Sequence, residues 1–416
     1  MKKTLISLTL ATLMTSGLAS AMPSEGKVRA DMGITESNLL AADQNRYTYK
    51  NMQEFMKTKN IDSGVMAPIL LEQADKPLGD VDFTYDGKKM NLQDMLKDHR
   101  ADAFIVLKDG KVVHEQYFDG QNERTKHQMM SVTKSFTGIL AATLVAEGKL
   151  DRDALVETIV PELKGSAYGD ATVGQVMDMT NNVKYSEAYE NPNAEVFQHM
   201  KTIGFAPMEE GYAGPKTIRD FLITLEKDGD RPHGEEFHYI SANTDVVAWI
   251  IENVEGKSFD QIMSERIWSK IGAERDAFVI VDGEGTELAS GGLNATARDL
   301  AKFGQMLADQ GKNLNGEQVL PAKAIQSTQA GGAPEAFEKG GYSHHGMTGW
   351  SYRNQFWHTD NANQAYTALG IFGQWIYVDP TENVVIVRQS SAEASIDDIR
   401  DAEMVSAVNA IIEKLK

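Results

Sequence analysis

Ser131-Val132-Thr133-Lys134-Ser135-Phe136-Thr137-Gly138-Ile139-Leu140-Ala141-Ala142-Thr143-Leu144 is the stretch on which the reading of this chain depends. Phe136, Ile139, Leu140, Thr143, Leu144 and Leu150 recur at helical spacing and Gly148 supplies a stop, so a helix opens at Ser131. It is apolar on nearly every side and is expected to be buried. Ser131 and Lys134, three residues apart, share one helical face with Cβ atoms about 5–6 Å apart. Serine at a helix start is also a common N-cap, and that reading competes. Lys134 favours chemistry, because a lysine desolvated in an apolar helix has a depressed pKa and can serve as a base near neutrality. The helix N-terminus adds partial positive charge that favours an alkoxide, and free N–H groups that can hold an oxyanion. The Ser-x-x-Lys pattern occurs once more, as Ser24-Glu25-Gly26-Lys27, beside Pro23 and close to the terminus, where order is least expected.

Outward from this helix the pattern changes on both sides. Upstream, residues 103–107 and 112–118 are β-rich and flank Lys108-Asp109-Gly110-Lys111, a strong hairpin signal. Residues 22 to 100 read as a wrapping segment with a short hairpin at Tyr85-Asp86-Gly87. Downstream, helices are expected over 170–179, 217–226, 244–254, 258–268 and 297–310. Strand character returns over 366–372, 374–378 and 384–388, with a turn at 379–383, and a helix closes the chain over 398–415. Strands at both ends must pair into one sheet, mostly antiparallel because its hairpins are short. The expected fold class is α/β (α+β): an antiparallel sheet flanked by helices, with an inserted all-helical domain. The corresponding division is a signal peptide at 1–21, a first α/β part at 22–149, a helical domain at 150–275 and a second α/β part at 276–416.

Composition narrows the function. Sixty acidic residues against 41 basic ones in a chain of 416 give a formal charge of −19, the wrong sign for nucleic-acid binding. At 42% hydrophobic and 24% charged, the chain can bury a large core. Cysteine is absent, which removes disulfides, thiolate zinc sites and a sulfur nucleophile. Lys2 and Lys3, an apolar run from Leu5 to Leu18 and Ala19-Ser20-Ala21 follow the three-part plan of a secretory signal peptide. Cleavage is expected after Ala21, leaving a chain of charge −21 bound for the periplasm or the medium. No later stretch is long and apolar enough to span a membrane. There is no Gly-x-Ser-x-Gly elbow and no His-Glu-x-x-His. His344 and His345 are adjacent, would point to opposite faces of an extended strand, and are not expected to share a metal ion.

Taken together, Ser131-Val132-Thr133-Lys134, Tyr239-Ile240-Ser241 followed by Asn243-Thr244-Asp245, and Ile371-Phe372-Gly373 before Gln374 resemble the three motifs of the penicillin-recognising serine hydrolases. That superfamily holds class C β-lactamases, DD-peptidases, related esterases and 6-aminohexanoate-dimer hydrolases. Gly291-Gly292-Leu293 leading into Ala297-Arg298-Asp299-Leu300 also resembles it, at a structural position. The resemblance implies Ser131 as nucleophile, Lys134 as general base and Tyr239 as proton carrier between the lysine and the leaving group. It places the oxyanion on the backbone N–H groups of Ser131 and Gln374, beside Phe372 and Gly373. Ile371-Phe372 in place of a Lys-Thr pair, and Ser241 in place of asparagine, point to the esterase and 6-aminohexanoate-dimer hydrolase branch. Lys184-Tyr185-Ser186-Glu187-Ala188-Tyr189 resembles that branch's cleft-lining segment, with Tyr185, Glu187 and Ser241 as substrate contacts.

The expectation is an exported serine hydrolase that forms an acyl-enzyme and cleaves a small carboxylic ester or linear amide, needing no metal or organic cofactor. A β-lactamase or DD-peptidase is the alternative within this chemistry. A non-catalytic cleft that binds peptidoglycan or a protein is the alternative outside it. The oligomeric state stays open.

Overall fold

The computed structural model describes residues 32–35, 37–189, 191–342 and 347–416. The expected signal peptide, the Ser24-Glu25-Gly26-Lys27 copy and the His344-His345 pair lie outside these residues.

The main sheet has seven strands: β1 (Ala101–Lys108), β2 (Lys111–Tyr117), β3 (Ser351–Arg353), β4 (Phe356–His358), β5 (Tyr366–Gly370), β6 (Gln374–Asp379) and β7 (Val384–Ser390). Their order is β2-β1-β7-β6-β5-β4-β3, with every neighbouring pair antiparallel. The Asp109-Gly110 turn closes β1 on β2 with φ of 52° and 76°, the left-handed pair that a tight hairpin of this hand demands. Asp86 and Gly87, at 46° and 72°, do the same in the smaller upstream hairpin. β1 pairs with β7 around Val106 and Ile386, which joins the two ends of the chain in one sheet as expected.

Alternate residues of these strands enter different cores, as the two-residue period of a strand requires. Ile105, Leu107, Val385 and Val387 meet the largest core, together with Leu300, Phe303 and Leu307 of the helix Ala297–Ala308. Phe104, Val106, Val384 and Ile386 face the other way, onto Met404, Val408 and Ile411 of the closing helix Asp398–Leu415. The sheet is thus covered by helices on both faces.

The helix predicted from Ser131 is α1 (Val132–Ala146), buried along nearly its whole length, with Gly148 left-handed just beyond its end. Phe136 stacks on Phe303 with ring centroids 3.7 Å apart. Gly138 is where α1 admits the β3–β4 turn, which is built from the left-handed residues Asn354 and Gln355. A Cβ on Gly138 would fall inside contact distance of the Asn354 carbonyl, and Ser135 Oγ donates to Gln355 O at 2.8 Å nearby. Gly138→Ala is therefore expected to destabilise the protein by about 1–3 kcal/mol despite alanine's better helix propensity, read as a lower urea midpoint. An unchanged midpoint would show that the turn gives way freely.

Several boundaries move from their sequence-based positions. The helix expected over 170–179 is only Val173–Met177, because Thr172 and Gln175 form a capping box and Met179 turns left-handed. The one expected over 244–254 opens at Ser241 as α2 (Ser241–Glu255). The one expected over 258–268 is an α-helix over Phe259–Met263 that widens into a π-turn over Ser264–Trp268. Strand β5 stops at Gly370, and Ile371–Gly373 forms a turn with Phe372 left-handed. Glu195–Ile203, Ala322–Gln329 and Pro334–Lys339 are helices that the sequence reading did not anticipate. Nor did it anticipate a second sheet, in which Thr58–Ile61, Ala277–Ile280, Leu293–Ala295 and His127–Gln128 are neighbours in that order. Strands of two to four residues are too short to display a period.

Candidate active site

The second sheet delivers the chain to the site. After His127–Gln128 the backbone passes through Met130, left-handed at φ 48°, and Ser131 then opens α1. A non-glycine residue held in that region marks a turn fixed by its surroundings. Thr133 closes it, its N–H and Oγ1 both donating to Met130 O.

Ser131 makes no side-chain cap to the helix, so the competing N-cap reading fails on geometry. Its Oγ instead meets Lys134 Nζ at 2.8 Å, and the Tyr239 hydroxyl shares a hydrogen bond with the Ser131 side chain. Lys134 is 1% exposed, and burial pushes its ammonium down to about 8, against the opposing pull of the Glu187 and Asp245 carboxylates. Nζ also donates to the Ser290 carbonyl at 2.7 Å and sits 5.2 Å from the centroid of the Tyr239 ring.

Tyr239 comes from the stretch just before α2, stacked on Trp357 and edge-on to Tyr352, with Tyr342 Oη accepting from its backbone N–H. Burial, then the Glu187 charge, holds its phenol well above the ordinary tyrosine range, although the bond to Ser131 pulls the other way. A phenol in that state is a proton donor at neutral pH, while the buried amine of Lys134 is the group poised to accept one.

Glu187 lies at the centre of the cluster. It accepts from the Ser241 N–H at 2.6 Å and from Tyr189 Oη at 3.0 Å. Ser241, the first residue of α2, is thereby tied to the Glu187 segment through its backbone. Tyr185 goes elsewhere. Its ring is 3% exposed, edge-on to Phe221, and its hydroxyl meets His199 Nδ1 at 3.1 Å, which makes it a core residue and not a cleft wall. Tyr189, two residues beyond Glu187, is the tyrosine of this segment that reaches the cluster.

The third motif is arranged differently from the expectation. Gln374 is 0% exposed, pairs with Gly370 across the β5–β6 turn, and spends its amide on Ser390 O at 2.5 Å. Phe372 packs on Tyr49, and a Cβ on Gly373 would meet Arg388 and Ser390 behind the sheet. The glycine that approaches the turn before Ser131 is Gly370, where a Cβ would lie 2.7 Å from Met129 O. Gly370 and Ile371 are half-buried, whereas Gln374 is sealed. The strand residues ahead of this glycine are Ala368 and Leu369, apolar like the Ile371-Phe372 pair first considered.

Sequence reasoning did not single out Ser290, which acts through a backbone carbonyl that any residue type would supply, or Tyr342. The Gly291-Gly292-Leu293 loop is braced on every side. Thr137 Oγ1 donates to Ala289 O, Gln128 Nε2 to Gly291 O, and the Leu293 N–H to Thr133 Oγ1. Among the described residues no group of three or more His, Asp or Glu side chains is placed to hold a metal ion. No helix among them is long and apolar enough to cross a membrane.

Comparison with known proteins places the chain in a family. Residues 91–409 match the Beta-lactamase family. A 6-aminohexanoate-dimer hydrolase of Paenarthrobacter ureafaciens is 38% identical over 301 residues, covering 72% of this chain and 75% of that protein. A solved structure from Bacillus anthracis, described as a candidate 6-aminohexanoate-dimer hydrolase, superposes with a TM-score of 0.83 at 33% identity, over 94% of this chain and 98% of that one. A candidate beta-lactamase from Bacteroides dorei shares the fold at a TM-score of 0.57 and 19% identity, over 76% of this chain and 97% of that one. With residues 91–409 matching that family's model and a relative 38% identical over 72% of the chain, the chain belongs to the Beta-lactamase family and is a serine hydrolase.

Proposed function

We propose that this protein is an exported hydrolase of small linear amides, with simple esters as secondary substrates, working through an acyl-enzyme on Ser131. The observation that carries the reading is the buried Lys134 amine held 2.8 Å from Ser131 Oγ. The amine takes the hydroxyl proton as Oγ attacks the substrate carbonyl. The Ser131 N–H and the backbone at the Gly370–Ile371 edge receive the oxyanion. Tyr239 donates its proton to the departing nitrogen as the C–N bond breaks, and recovers one from Lys134. Water then attacks the acyl carbon, giving up a proton to the same pair, which returns it to Oγ as the C–Oγ bond breaks and the acid leaves.

Preference for amides is supported by the 6-aminohexanoate-dimer hydrolase relative and by a proton donor within reach of the leaving group, which an amine needs more than an alkoxide. Ala368 and Leu369 bring no cation to the strand beside the site, so nothing there holds the carboxylate of a β-lactam. Tyr189 and Glu187 would line the substrate's path, with Trp357 and Tyr352 packed against Tyr239 as its support. Export rests on the signal-peptide pattern of residues 1–21.

A substrate panel tests the reading. Linear amide oligomers of amino acids with aliphatic spacers should be turned over with kcat/KM about tenfold or more above nitrocefin, with p-nitrophenyl esters also cleaved. Nitrocefin turnover exceeding that of every amide would assign the protein to β-lactam chemistry instead.

A further inference from the structure

Behind Lys134 lies a set of charged groups that the reaction does not touch. Asp245, in the second turn of α2, is 4% exposed. Its Oδ1 accepts the Ser290 N–H at 3.0 Å, and its Oδ2 lies 3.1 Å from His199 Nε2. His199, itself 3% exposed, meets the Tyr185 hydroxyl through Nδ1 and stacks on Phe221. A carboxylate and an imidazole sealed in an apolar layer are a poor source of stability, since desolvation offsets most of their attraction. Their placement suits a different task. Ser290 is the residue between Asp245 and the amine: its N–H is held by Asp245, and its carbonyl accepts from Lys134 Nζ at 2.7 Å.

A neutral amine has two N–H bonds and one lone pair. For Lys134 to accept the Ser131 proton, the lone pair must face Oγ, so the N–H bonds must be engaged elsewhere. We propose that Asp245 is a positioning residue for Lys134, fixing Ser290 so that its carbonyl takes an N–H of the amine and leaves the lone pair directed at Ser131 Oγ. The inference rests on the acyl-enzyme reading given above. It also explains why α2 carries Tyr239 at its entrance and Asp245 one turn in: a single helix sets both the proton donor and the brace of the base. The other titratable groups around the pair are Glu187 and Tyr239 beside the amine and Tyr168 beside the carboxylate. Arg219, Glu252 and Glu287 line a cavity of about 10 Å³ that Asp245 also borders.

The test is the rate of Ser131-dependent phosphonylation by a fluorophosphonate, in which Oγ bonds to phosphorus and fluoride leaves, followed against pH in wild type, Asp245→Ala and Asp245→Asn, with melting temperatures measured in parallel. Asp245→Ala should lower the high-pH plateau by about 10²-fold, as expected for a misplaced reacting group. Asp245→Asn keeps an acceptor for the Ser290 N–H and should recover most of the plateau. Its acid limb should move to lower pH, because a negative charge that favours the ammonium is gone. If Asp245→Ala does not fold, the Asn variant decides alone, and an unmoved limb overturns the proposal. Equal rates and limbs in all three proteins overturn it too, as does an Asn variant that falls as far as alanine with an unmoved limb, which would make the role structural. Labelling that persists in Ser131→Ala would instead overturn the acyl-enzyme reading itself.

Discussion

A Ser131→Ala variant is expected to take up no fluorophosphonate and to lose about 10⁴–10⁶ of turnover while keeping its fold. The size of the loss follows from what Oγ does in the site. It is the atom shared by the Lys134 amine, at 2.8 Å, and the Tyr239 hydroxyl, so both proton carriers lose their common partner when it is removed. What remains is substrate binding and the oxyanion donors, which in comparable sites retain a modest rate over water. Stability should barely change, because Ser131 contributes no cap to α1. Intact-mass spectrometry after exposure to the probe, beside a thermal melt, reads both quantities. A labelled alanine variant would remove Ser131 from the mechanism, and an unlabelled but unfolded one would restore the helix-cap role.

Lys134→Ala is expected to slow acylation by about 10²–10⁴-fold and to abolish the pH limb of the reaction. The active form of the lysine is the free amine, whose fraction rises with pH, so wild-type acylation should climb up to about pH 8 and level off above it. At pH 7 a lysine at that value offers roughly 300-fold more free amine than an ordinary one. Burial in α1 is the physical source of the gain, and the Glu187 and Asp245 carboxylates oppose it. Lys134→Arg should be as slow as alanine, since a guanidinium keeps its charge and has no lone pair to offer. Rates measured from about pH 5 to pH 10 with one amide and one ester would show this. An alanine variant with the wild-type limb would place the base elsewhere.

Much of the fold was legible before the structure. The Asp-Gly turns, the β-rich runs at both ends and the helical period from Ser131 are local signals, written in residues a few positions apart. Two of the misplaced boundaries share one cause, since the left-handed residues Met179 and Phe372 end elements where packing, and not propensity, decides. The serine, lysine and tyrosine of the candidate site were legible because each is a side chain in a short motif. Gln374 and Tyr185 were misplaced because motif matching along the sequence carries no information on which face a strand residue takes or which tyrosine a loop turns inward.

What the sequence alone determined is the pairing of Ser131 with Lys134. The two lie on one face of one helix, and the apolar residues around them dictate that the amine be desolvated, so their contact follows from local spacing and composition. What only the tertiary structure decided is the surroundings of that pair: the Ser290 carbonyl, the Asp245 and Glu187 carboxylates and the Gly370 edge. These come from segments 50 to more than 200 residues distant from Ser131, and two of them act through backbone atoms that every residue possesses. Such contacts are set by how the sheets and α2 pack against α1, which no local pattern records.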